Sequence, residues 1–267
     1  MKNNQTYIKM GFKGAVSIYS LSRFFSSIIL QKNTVLIFLI CFGSTAAQTE
    51  HLRSLLKDYG SEDKMKLIIS DDFTGSDSLW IKEFEKPEDS EMRIMHGRME
   101  IKTSRGATVW LKQKLSGNIM ITYDAMVIQD SCSYDRVSDL NCFWMAEDSV
   151  KEILPSRDGK FTSYDDMKLY YAGIGGNNNT TTRFRKYEGN GNKPLIGEFL
   201  NEDHLLKGQM NYKIKIIVDS GGVLFIVNNQ VYFEYSDIKQ FSKGYFAFRT
   251  TRSHQQIKRF RVYEIIK

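Results

Sequence analysis

An all-β chain folded as an antiparallel two-sheet sandwich of the jelly-roll kind is predicted by three observations. The first is a series of a dozen or more short runs, rich in aromatic and β-branched residues, separated by turn signals of the Gly-Gly, Asn-Asn and His-Gly type. The second is that nothing in this part of the chain keeps a sustained 3.6-residue apolar period. The third is the lack of any alternation of strand and helix patterns, which excludes a parallel α/β sheet.

The sandwich does not start at residue 1. Val35 to Phe42 is a continuous apolar run, flanked by Lys32 before and by small residues from Gly43 to Ala47 after. A basic flank, about 8 apolar residues and a small-residue exit mark a secretory signal peptide, and the run is too short to span a bilayer. Cleavage is expected after Ala47, so residues 1–47 form a signal with a long leading region and 48–66 a leader segment with Leu52, Leu55 and Leu56 at helical spacing. Cys41 is a poor lipidation site because bulky Leu39 and Ile40 precede it. The expected product is exported, periplasmic or extracellular, with no membrane span in its mature chain.

Export alters the meaning of the charge. The chain carries +6, but Lys2, Lys9, Lys13, Arg23 and Lys32 lie in the first 47 residues with no acid among them, which leaves a net charge of about +1. A nucleic-acid partner needs a basic stripe over the folded domain and loses its support.

The single sandwich domain is expected over 67–267. Strands are predicted at 67–73, at 78–85 with Trp80, and as a hairpin of 92–95 and 98–103 turning at Gly97. Runs 107–112 and 119–128 follow, the second long and alternating, then a loop to Asp139 and an apolar strand at 140–146. Residues 147–166 make a long connection, and structureless loops of that length are usually functional or disordered. Next comes a hairpin with two tyrosines and a Gly-Gly-Asn-Asn-Asn turn, ending in Arg183, Phe184, Arg185, Lys186 and Tyr187. Residues 195–206 read as a short helix or crossing segment. Strands at 212–219, 223–227, 231–235, 244–249 and 257–266 close the domain.

Cys132 and Cys142 remain after cleavage, nine residues apart counted between them in an oxidising compartment. They form either a disulfide, which would stabilise the loop by roughly 2–3 kcal/mol, or two buried thiols. No Cys/His cluster suggests zinc, no cofactor is implied, and Asp135, Asp139 and Asn141 lack the regular loop spacing of a calcium site.

The DDF, HGRMEI, TVWL and YDAMV pieces, the DRVSDLNCFWMAED block, YYAGIGGNNNTTTRFRKYEG and the final GYFAFRTTRSHQQIKRFRVYEI together resemble a secreted bacterial family of unknown function. The resemblance covers about 67–266. It implies a concanavalin A-like (lectin/glucanase) sandwich, export and a place in polysaccharide degradation. It transfers no catalytic residue.

Residue chemistry offers two readings. One is an enzyme on polysaccharide, most simply a lyase for uronate-containing glycans. Such a reaction needs cations or amides on the sugar carboxylate, a base for the neighbouring C–H and an acid for the leaving oxygen. Tyr187 and His254 are the candidates for proton transfer, and Arg183 and Arg185 for the carboxylate, since Arg183, Arg185 and Tyr187 share a strand face. Asn141, Trp144, Tyr170, Asn177, Asn179, Arg249 and Arg252 are the candidates for substrate binding. The other reading is a glycan-binding module that stacks sugar on Trp144, Tyr170 and Tyr171. Glycoside hydrolysis has less support, because adjacent Glu147-Asp148 and Asp165-Asp166 would point to opposite strand faces. The plain structural alternatives are a salt-bridged strand face for the arginines and core positions for Trp80, Trp110, Phe143 and Trp144.

Overall fold

The computed structural model describes residues 64–130, 133–148, 157–220 and 222–266. Fourteen antiparallel strands form one hydrogen-bonded network that folds into two facing sheets. In chain order they are β1 (Met65–Asp71), β2 (Trp80–Phe84), β3 (Ser90–Met95), β4 (Arg98–Leu111), β5 (Leu115–Ser116), β6 (Ile119–Val127) and β7 (Leu140–Asp148). The remainder are β8 (Met167–Gly175), β9 (Thr181–Glu188), β10 (Leu195–Phe199), β11 (Asn211–Asp219), β12 (Gly222–Val227), β13 (Gln230–Tyr235) and β14 (Lys243–Ile265).

Sheet one runs β2–β4–β14–β7–β8–β9–β10, using the C-terminal half of β4 and the N-terminal half of β14. Sheet two runs β3–β4–β14–β6–β11–β12–β13 with the other halves, and β1 pairs the end of β14. The two strand pairs predicted at 98–103 with 107–112 and at 244–249 with 257–266 are therefore two single long strands. β14 passes from one sheet to the other through a bulge at Arg252 (φ 46°), and a second bulge at Arg259 (φ 53°) interrupts its pairing with β6 inside sheet two. Such bulges bend a strand and add twist, so a break in the alternation marks a corner and not an end.

Between the sheets lies a large apolar core containing Trp80, Tyr123, Trp144, Tyr170, Phe184, Phe225, Phe248 and Phe260. The 195–206 segment, read from sequence as a helix or crossing, is strand β10 followed by a 3-10 turn at Glu202–His204. The turn between β8 and β9 is left-handed at four positions, with φ of 68° at Gly175, 53° at Asn177, 59° at Asn178 and 62° at Asn179. Asparagine is among the few side chains that tolerate this region, which explains the run of three. Among the described residues no helix is long and apolar enough to cross a membrane. The expected signal and most of the leader segment fall outside the described residues.

Candidate functional site

Residues directly opposite in an antiparallel pair point to the same face of the sheet. In sheet one the registers place Glu83, Thr108, Arg249, Asn141, Gly173, Arg183 and Glu198 in a single row across seven strands. Next to it run Ile81, Trp110, Ala247, Phe143, Tyr171 and Arg185. Trp110, Phe143, Tyr171, Tyr187 and Ala247 form a second apolar cluster on this face, turned away from the main core.

The face is covered by the described end of the long connection. Phe161 and Tyr164, in a 3-10 turn, pack on Phe143 with ring centroids 6.3 and 5.3 Å away, and Tyr164 meets Trp110 edge-on at 6.0 Å. Two glycines permit the close approach. Gly159 has φ +77°, and a Cβ there would lie 2.4 Å from the Glu85 nitrogen; a Cβ on Gly106 would lie 2.2 Å from the Gly159 carbonyl oxygen. Glu83 anchors this cover: its carboxylate accepts from Trp110 Nε1 (2.8 Å), Tyr164 Oη (2.7 Å) and the Arg157 backbone nitrogen (2.6 Å). Burial raises the Glu83 pKa, and the three donors only partly oppose that. Arg157 holds the other end through Asp148 at 2.6 Å and Asp166 at 2.9 Å.

The middle of the polar row is different, because its groups are buried without matching partners. Arg249 is 1% exposed. Its Nη1 donates to the Gly159 carbonyl (2.7 Å) and Thr108 Oγ1 (3.3 Å), its Nη2 lies 3.5 Å from Thr251 Oγ1, and its Nε has no partner. Phe161 and Tyr164 lie against the guanidinium at 5.4 and 5.7 Å. Burial lowers the Arg249 pKa, opposed by Tyr164, Tyr171 and Asp139. Asn141 Oδ1 and Tyr187 Oη are also buried without a hydrogen bond. Beside Asn141 the row has no side chain at Gly173: a Cβ there would lie 2.0 Å from Tyr171 Oη and 2.6 Å from Asn141 Oδ1. The space above this glycine is therefore taken by a phenol and an amide oxygen.

The other residues singled out from sequence are placed as follows. Arg183, Arg185 and Tyr187 do share one face, with Arg183 paired to Glu198 and Arg185 Nη1 donating to the Lys193 carbonyl at 2.8 Å. Burial raises the Tyr187 pKa, with Asp165 adding to the shift, so this phenol stays protonated and is a poor base. His254 does not join them. It lies beyond the Arg252 bulge, opposite Lys102, with Nδ1 3.2 Å from Asp135 Oδ1. It lines a small cavity of about 130 Å³ with Glu91, Arg93, Glu100 and Lys102. Trp144 and Tyr170 are core residues: Trp144 stacks on Tyr170, Phe184 and Phe225 at 5.7, 5.7 and 6.0 Å, between the sheets and out of reach of sugar. Strand 140–146 is apolar on both faces, so its alternation does not say which side is inside.

Asn179 is a clamp, donating from Nδ2 to the Leu206 carbonyl and accepting from the Leu206 nitrogen (2.9 and 2.8 Å). Asn177 is exposed at the turn, and Arg252 is exposed at its bulge, where its carbonyl accepts from Arg136 Nε at 3.2 Å. Arg136 also reaches Asp139 at 2.5 Å and the Thr251 carbonyl at 2.6 Å. Cys142 is a buried thiol whose pKa burial pushes up to about 12. Its suggested partner Cys132 lies outside the described residues.

Residues 101–260 match the family described as a domain of unknown function, DUF6250. The chain belongs to the DUF6250 family. No curated protein matches it in sequence. Solved structures share the DUF6250 fold at low identity. A protein of unknown function with a galectin-like fold from Bacillus subtilis has a TM-score of 0.60 at 16% identity, covering 75% of this chain and 97% of that one. The endo-beta-1,3-glucanase from Pyrococcus furiosus has a TM-score of 0.55 at 10% identity, covering 76% and 95%. The Emp47p carbohydrate recognition domain has a TM-score of 0.51 at 14% identity, covering 77% and 97%. These similarities place DUF6250 among galectin-like and concanavalin A-like sandwiches. An enzyme and a recognition domain match about equally well, so function must be argued from the site.

Glu83, Tyr164 and Gly159 are the parts of this site that sequence reading missed. The signal available was the long 147–166 connection with its Asp158-Gly159 pair, but what it covers is set by tertiary contact alone.

Proposed function

We propose that this DUF6250 protein is an exported glycan-binding protein whose sugar site lies on the outer face of sheet one, along β7, β8 and β9 beside the 157–166 segment. The observation that carries this reading is a set of buried polar atoms without partners on this face: Asn141 Oδ1 and Arg249 Nε in the middle of the row, and Tyr187 Oη farther along β9. Buried polar groups are nearly always satisfied, and an exception on a sheet face has an absent ligand among its explanations. A sugar supplies hydroxyls that both donate and accept, and Tyr171 and the half-exposed Arg185 provide an amphipathic edge beside them. Likeness to a glucanase and to a carbohydrate recognition domain supports the same reading.

Two catalytic readings have less support. Uronate elimination needs a base and an acid at one sugar; Tyr187 is kept protonated, and His254 is engaged with Asp135 on the other half of β14. Retaining or inverting hydrolysis needs two carboxyls about 5–9.5 Å apart. The row's two acids, Glu83 and Glu198, stand at its opposite ends, about 29 Å apart at about 4.8 Å per strand.

Affinity electrophoresis against a panel of neutral and acidic polysaccharides, with product analysis of the same mixtures, tests the proposal. Retention without new reducing ends or unsaturated products is expected, and Asn141→Ala should weaken retention about tenfold. Turnover of any polymer would replace binding with catalysis, and failure to retain any would remove the sugar reading. Export is tested separately by sequencing the N-terminus of secreted protein, which should begin at Gln48.

A further inference from the structure

A buried arginine is ordinarily matched by a carboxylate, because an unpaired charge loses its hydration with nothing in return. Arg249 is not matched: among the described residues no acid lies within ion-pairing distance of it. Its two ring neighbours lie against the guanidinium, and Nη1 is taken by the Gly159 carbonyl and Thr108. What remains is the Nε–Nη2 edge, with no bond at Nε and only the 3.5 Å contact to Thr251 at Nη2. That edge carries two parallel N–H groups, the geometry that binds a two-oxygen anion side-on.

The surroundings agree with such a ligand. Asn141, directly opposite Arg249 on β7, leaves an acceptor oxygen that could take a hydroxyl donor. Charges at the two ends of the row are already answered, Arg183 by Glu198 and Glu83 by its three donors. Among the described residues, the row's cation without an ion-pair partner is Arg249, in its middle.

We infer that the ligand is an acidic glycan, and that an oxyanion substituent of the sugar pairs with the Nε–Nη2 edge of Arg249 while a ring hydroxyl donates to Asn141 Oδ1. This rests on the glycan-binding reading and names its substrate class. A carboxylate of a uronate and a sulfate ester offer the same two-oxygen chemistry.

The test compares polymers that differ only in charge: polygalacturonate against its carboxyl-reduced form, and dextran sulfate against dextran, on the whole exported chain. At least one anionic polymer is expected to bind tenfold or more tighter than its neutral parent, and the pair that differs identifies carboxylate or sulfate. Arg249→Gln should abolish that difference, and Arg249→Lys should retain part of it. Near-UV circular dichroism establishes that each variant is folded, and the wild-type polymer comparison needs no variant at all. Arg98→Gln, at a cation paired to Glu100 on β4 in sheet two, should change the preference less than twofold. Equal binding of charged and neutral polymers would overturn the inference and leave the sugar reading standing. An equal loss in the Arg98 and Arg249 variants would reduce the preference to diffuse attraction and overturn it too. No retention of any polymer would remove both.

Discussion

Single residues in this protein separate sharply by which side of sheet one they face. Trp144 and Phe143 are neighbours in sequence, yet Trp144 stacks in the main core and Phe143 supports the outer face. Trp144→Ala would leave a large cavity and is expected to cost about 3–5 kcal/mol in urea denaturation. Glycan affinity per folded molecule should be unchanged, which separates a core tryptophan from a sugar platform. His204 gives a pH signature. Its ring stacks on Phe199 at 3.8 Å, and burial lowers its pKa from the ordinary value near 6.5. The unfolded chain then takes up the proton first as pH falls. The contribution of His204 to stability is complete above about 6.5 and is lost as the pH drops below it towards the lowered folded value. Melting temperature from pH 7.5 to 5 should fall more steeply in wild type than in His204→Gln, and parallel curves would refute the assignment.

At the scale of elements, two segments tie the sandwich together. The link between β13 and β14 carries Asp237, which accepts from Lys186 Nζ at 2.8 and 2.6 Å and from Tyr170 Oη inside the protein. Lys186 and Asp237 side chains are 8% and 4% exposed. Asp237→Ala strands a buried ammonium and is expected to cost about 3–5 kcal/mol. Lys186→Met combined with Asp237→Leu should recover much of that loss, as measured by chemical denaturation. The second segment is 157–166, which depends on Gly159 at φ +77° against the Glu85 backbone. Gly159→Ala should cost about 1–3 kcal/mol of strain. It should also raise hydrogen exchange across 157–166 while leaving β11–β13 protected. Uniform exchange would mean that the segment is not a separate cover.

Over the whole molecule, β4 and β14 belong to both sheets, so neither sheet has a complete set of partners without the other. Unfolding should therefore be a single transition, with tryptophan fluorescence from Trp80, Trp110 and Trp144 coinciding with far-ultraviolet circular dichroism. Two separated transitions would show the sheets to be independent.

Most strand positions, the hairpin turns and the two-sheet class were legible because they rest on period-two alternation and on turn residues, both local, whereas the fusion of strands into β4 and β14 was not. That Arg183, Arg185 and Tyr187 share a face follows from the same local geometry, as does the presence of a turn at the asparagines. Strand neighbours, in contrast, are set by pairing across long sequence separations. Only the register brings Arg249 opposite Asn141, 108 positions apart by their numbers, and His254, past the Arg252 bulge, pairs with Lys102 where β14 has joined the other sheet. Burial on both sides of β7 hid which face Trp144 takes. That Arg249 has no ion-pair partner among the described residues is likewise a tertiary fact: a sequence shows that an arginine is present, and packing decides which acids come within reach of it.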